Sequence, residues 1–75
     1  MLHKVGDCFK CVRDDGEYLI ITIKRIKRNN EYVVKVIKQT DDDPIRLLNV
    51  FYITNGEDLK RFIKMSNEEK MALLL

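Results

Sequence analysis

The chain has 75 residues, 35% of them charged, yet a formal net charge of only +2. That length makes one domain, 1–75, with a thin core, because so short a chain buries only about 60% of its unfolded surface. The β-branched and aromatic content is too high for a disordered chain. No apolar run approaches the roughly 20 residues of a membrane span, and Met1-Leu2-His3-Lys4 runs directly into polar sequence rather than a secretory leader. The expectation is a cytoplasmic protein.

Val5-Gly6-Asp7 reads as a turn into a first strand, roughly Cys8 to Arg13. Asp14-Asp15-Gly16 is a strong turn signal. Cys8 and Cys11 stand as C-x-x-C, but a zinc site normally needs four ligands and no second pair exists. On a strand the two thiols point to opposite faces, unlike a redox motif at a helix start. They read as two reduced cysteines, the alternative being a metal site shared between two copies of the chain through His3.

Tyr18 to Lys38 is a β-hairpin. Leu19, Ile21 and Ile23 alternate onto one face, as do Tyr32, Val34 and Val36 in the second run. Asn29-Asn30 suits a two-residue turn, since Asn tolerates positive φ. That turn places Arg28 opposite Glu31, Ile26 opposite Val33, Lys24 opposite Lys35 and Ile23 opposite Val36. The Lys24–Lys35 pair sets like charges face to face, at a cost of up to about 1 kcal/mol.

Gln39 to Pro44 is an acidic connector. Ile45 to Ile53 is apolar on both parities, giving either one strand buried on both faces or two shorter strands bent around Asn49. The period then becomes helical at Leu59, Phe62 and Ile63. Thr54 with Glu57, and Ser66 with Glu69, have the spacing of capping boxes. Two short helices fit better than one, the second carrying Met71, Leu74 and Leu75. The ending Ala72-Leu73-Leu74-Leu75 either caps the open side of a barrel or offers an apolar patch to a partner, a second copy of the chain in a homodimer included. The fold class is therefore mainly β (α+β): four or five antiparallel strands over 5–53, as a small barrel or a curved sheet, with one or two short C-terminal helices over 56–75.

The charges divide along the hairpin. Lys24, Arg25, Lys27, Arg28 and Lys35 make a basic tip, the candidate surface for a protein partner or for nucleic acid. Asp14, Asp15, Asp41, Asp42 and Asp43 make an acidic patch at the opposite end, roughly 25–35 Å away at about 3.3 Å per residue. That exceeds the screening length of about 8 Å, so the two patches act independently. Aromatic interleaving at the tip is sparse, with Tyr32 alone close by. Asp41-Asp42-Asp43-Pro44 lacks the ligand spacing of a calcium loop. No nucleophile–base pair or glycine-rich phosphate loop is present, so neither an enzyme nor a cofactor is expected.

The order of elements, with the opening Lys4-Val5-Gly6-Asp7-Cys8-Phe9 and a closing helix like Glu57 to Lys64, resembles small SH3-like β-barrels. More narrowly it resembles the short accessory proteins of phages and mobile elements, which often begin K-x-G-D-x-F. That resemblance implies a non-enzymatic binder that modulates a host or phage protein, working through the basic tip, the acidic end or an exposed barrel edge. Lys4-Val5-Gly6-Asp7 with Ile20-Ile21-Thr22-Ile23 also looks like the opening of the carbon-storage-regulator family of dimeric RNA-binding repressors. That family has a full strand ahead of its K-V-G motif, and Arg46 is the single candidate here for its RNA-contacting positions. The likeness is one of β-architecture.

Overall fold

A computed structural model describes residues 3–28, 30–42 and 44–73. Asn29 of the hairpin turn, Asp43 of the acidic connector, and Leu74 and Leu75 of the tail lie outside the described residues. The elements run β1 (Cys8–Val12), β2 (Tyr18–Ile26), β3 (Glu31–Gln39), β4 (Phe51–Asn55), α1 (Gly56–Leu59), β5 (Ile63–Lys64) and α2 (Asn67–Leu73). All five strands form one antiparallel sheet in the order β4-β3-β2-β1-β5. The molecule is mainly β with two short helices, and the sheet is open rather than closed into a barrel.

One face of the sheet, the core face, buries Phe9, Ile21, Ile23, Tyr32, Val34 and Val36 under Leu59 of α1, with Leu47 and Phe62 packed alongside. Each such side chain contributes about 1.5–3 kcal/mol on burial. The second face is only partly covered. There Cys8, Ile20 and Met65 form a small cluster, joined by Tyr18, Ile37 and Leu73 of α2.

The hairpin register differs from the one the turn alone predicts. Ile26 pairs with Tyr32, Ile23 with Val34, Thr22 with Lys35 and Ile21 with Val36. A one-residue offset at the tip, where Lys27 rather than Arg28 lies opposite Glu31, and two bulges account for the difference. Lys24 is an extra residue on β2 and Ile37 an extra residue on β3, so the first register shift is reversed by the second. Each bulge sits where strict alternation would drive a cation into the core. Beyond Ile23 the core face would receive Arg25 and Lys27, but the extra residue at Lys24 resets the parity and returns Ile26 to the core. Beyond Val36 it would receive Lys38, and Ile37 diverts that lysine to the second face. The expected Lys24–Lys35 repulsion is absent because Lys24 has no residue opposite it.

At the tip, the Glu31 N–H closes a turn onto the Arg28 carbonyl at 3.2 Å, and Asn30 has φ +62°. The Gly56 N–H donates to the Asn30 carbonyl at 3.1 Å, which ties the hairpin tip to the start of α1.

The second half departs further from expectation. Residues 45–50 are not a strand, and β4 begins only at Phe51. Asn49, at φ +69°, is the third residue of a turn closed by the Val50 N–H onto the Leu47 carbonyl, and a bulge opposite Val36 follows. The cap of α1 is Asn55, whose side chain accepts from the Asp58 N–H at 2.9 Å; Thr54 is instead a buried strand residue. The helix expected over Glu57 to Lys64 stops at Leu59, and Ile63–Lys64 pairs back onto β1 as β5. The Ser66–Glu69 capping box is complete in both directions at 3.2 Å and starts α2.

Candidate interaction surface

The two edges of the sheet differ sharply. β5 is two residues long, and Lys64 there holds the buried Asp7 carboxylate at 3.3 Å. A short, charged strand is a protected edge. β4 is five residues long and carries no charge: Phe51-Tyr52-Ile53-Thr54-Asn55. Apart from buried Thr54 its side chains are exposed, with Phe51 at 56% and Ile53 at 54%, and Leu48, Val50 and Tyr52 are also exposed.

The backbone of β4 is equally open. The Val36 N–H donates to the Val50 carbonyl, and the Gly56 N–H to the Asn30 carbonyl. Antiparallel ladders alternate, so between these two points Tyr52 and Thr54 bond inward to Val34 and Tyr32. Phe51 and Ile53 therefore turn their N–H and C=O groups outward, to the edge. An extended segment laid along β4 would meet four unsatisfied backbone groups. It would also cover Phe51 and Ile53, recovering about 1 kcal/mol or more from each.

The bulges set the electrostatics beside this edge. Pairing places Lys10, Arg25, Lys27, Lys35 and Lys38 on the second face, and Lys24 joins them from its bulge. The same face of β4 presents Phe51 and Ile53. Lys35, half-buried opposite Phe51, holds its ammonium 5.5 Å from the centre of that ring. The basic residues thus form a face rather than a tip. Lys35 is brought beside β4, Lys24 and Arg25 lie one strand further in on β2, and Lys27 and Arg28 remain exposed at the hairpin end. Tyr32, the one aromatic expected near the cations, is only 4% exposed and belongs to the core.

The acidic loops do meet at the opposite end of the hairpin. Arg13 neutralises them from between, pairing with Asp15 at 3.2 Å and with Asp41. The Asp41 carboxylate also accepts from Gln39 at 2.7 Å, and its backbone carbonyl from Arg46 at 2.7 Å. Asp14 and Asp42 remain exposed, and Asp43 lies outside the described residues. Cys8 is buried on the second face, while Cys11 is paired with Leu19 on the other parity. His3 packs edge-on against Phe9 and Tyr32 on the core face, with centroids at 5.1 and 5.7 Å, so it does not approach Cys8 on the same side of the sheet. Among the described residues no cluster of three or more His, Cys, Asp or Glu could hold a metal ion, and no helix is long and apolar enough to cross a membrane.

Phe51 and Ile53 are surface residues, so the Ile45 to Ile53 run is not a strand buried on both faces; the chain bends at Asn49, as the second alternative had it, but only the part from Phe51 is a strand. Comparison with protein families, curated proteins and solved structures gave no match.

Proposed function

We propose that this chain is a non-enzymatic protein-binding module that takes an extended segment of its partner as a sixth strand along β4. The observation that carries the reading is the uncharged outer strand whose Phe51 and Ile53 are exposed in side chain and backbone alike. Backbone pairing would supply affinity, and alternate side chains would supply selectivity. On the second face the incoming segment runs past Phe51 and Ile53, within reach of Lys35, so that side of it is acidic or apolar. An accessory role of phage or mobile-element type, occupying a host or phage protein's strand, agrees with the resemblance of Lys4-Val5-Gly6-Asp7-Cys8-Phe9 to such proteins.

A second reading rests on the basic face. Lys10, Lys24, Arg25, Lys27, Lys35 and Lys38 offer phosphate contacts on one side of the sheet. It has Phe51 as its exposed aromatic beside Lys35, a thin platform for stacking bases. Selection of a random eight-residue peptide library against the immobilised protein separates the two. Strand addition predicts extended binders with Asp or Glu at alternate positions and a moderate response to salt. Absence of any peptide binder, with single-stranded RNA or DNA bound in a steeply salt-dependent way, would replace the first reading by the second.

A further inference from the structure

Away from β4, on the second face, α2 does not seat fully on the sheet. Between them lies a predominantly apolar cavity of about 280 Å³, walled by Cys8, Thr22, Ile37 and Leu73 and carrying Lys24 and Lys70 in its lining. Both lysines come from positions with a specific origin. Lys24 is the bulged residue of β2, and bulges re-aim side chains out of the ladder. Lys70 stands in the last turn of α2. Among the described residues neither lysine forms an ion pair. The buried acid on this side, Asp7, is already engaged by Lys64 at 3.3 Å and by the Lys4 N–H at 3.1 Å. The Thr22 hydroxyl is likewise committed, donating to the Asp7 carbonyl at 3.3 Å.

An apolar cavity with a few convergent polar groups is the usual form of a small-molecule site. Two cations set the sign of the missing charge, since the one carboxylate near them, Asp7, attracts Lys70 but is already paired with Lys64, and the apolar walls set the rest of the molecule. We infer that the cavity between α2 and the sheet binds a small organic anion, a carboxylate with a short apolar tail, its head group between Lys24 and Lys70 and its tail against Cys8, Ile37 and Leu73. Charge-assisted hydrogen bonds hold the head group, and the apolar walls take the tail out of water. This site is separate from the β4 edge and does not depend on it.

The probe is octanoate, with octan-1-ol as its uncharged counterpart, titrated into nitrogen-15-labelled protein. Saturable amide shifts centred on Cys8, Thr22, Lys24, Ile37, Lys70 and Leu73 are expected, with octan-1-ol at least tenfold weaker. Cys8 supplies a second readout, because it lines the cavity while Cys11 lies on the opposite parity of the same strand. Octanoate should slow alkylation of Cys8 by iodoacetamide severalfold and leave Cys11 unchanged. The K24Q/K70Q double variant should weaken octanoate at least tenfold without weakening octan-1-ol. Equal binding of acid and alcohol, shifts centred elsewhere, or no saturable binding would overturn the inference. The acid–alcohol comparison uses the unaltered chain, so it decides even if the double variant fails to fold.

Discussion

Lys35 and Phe51 are cross-strand partners, and the Lys35 ammonium leans over the Phe51 ring at 5.5 Å from its centre. The contact itself is worth about 0.5–1 kcal/mol at an exposed site. Its larger consequence is to carry a positive charge from β3 toward the open edge at β4. Lys35→Glu should therefore weaken an acidic peptide selected against this edge at least tenfold, while changing folding stability by about 1 kcal/mol or less. Calorimetric titration and urea denaturation of the same variant check the two halves. An unchanged affinity would remove Lys35 from the interface.

Phe51 and Ile23 should separate binding from stability. Ile23 is fully buried, and Ile23→Ala should cost about 2–5 kcal/mol. That is enough to unfold a large share of so small a domain. Phe51→Ala should cost about 1 kcal/mol or less, because more than half of the side chain is already in water. It should nonetheless reduce peptide binding strongly. Denaturation midpoints of the two variants give the comparison.

The bulge at Lys24 can be tested by substitution and by deletion. Lys24→Ala should leave stability within about 0.5 kcal/mol, since the side chain is exposed. Deleting Lys24 should leave the sheet folded, because Ile23, Arg25 and Ile26 then alternate core, second face, core in the same pairing with no bulge. Circular dichroism of the deletion variant should show the sheet retained. An unfolded deletion variant would contradict the assigned register.

Much of the first half of this fold is legible in the sequence. The strands of the hairpin, the positive φ at Asn30 and the Ser66–Glu69 box follow from local chemistry. The register does not, because it depends on keeping Arg25, Lys27 and Lys38 out of a core that forms only when β1, β3 and α1 assemble. The Phe51–Asn55 strand was legible as apolar but not as exposed. Its burial depends on what else is long enough to cover it, and α1 is a single turn capped at Asn55 that serves the other face. The Lys35–Phe51 neighbourhood joins residues on separate strands and has no local signature.

Asp7 ties the turn before β1 to β5, and it should make stability depend on acid. Burial pushes its carboxyl up, but the Lys4 N–H and Lys64 together outweigh burial and hold it below its usual value of 3.8. A carboxyl whose folded pKa is depressed binds its proton more readily in the unfolded chain. The stabilisation is therefore fully present above the ordinary carboxylate range and is lost as pH falls through and below 3.8. Asp7→Asn should be less stable than the parent at pH 6, and the difference should shrink toward pH 2. Thermal melts across that range test this, and a constant difference would show that the charge of Asp7 is not the cause.

The most direct test of the account is proline at the edge. The Ile53 N–H points away from β3, so Ile53→Pro removes an outward donor while leaving the inner ladder intact. Binding of a peptide selected against the parent should fall at least tenfold in a variant that still folds, and in the parent that peptide should slow hydrogen exchange at the amides of Phe51 and Ile53. Undiminished binding to folded Ile53→Pro, with protection appearing elsewhere, would contradict strand addition along β4.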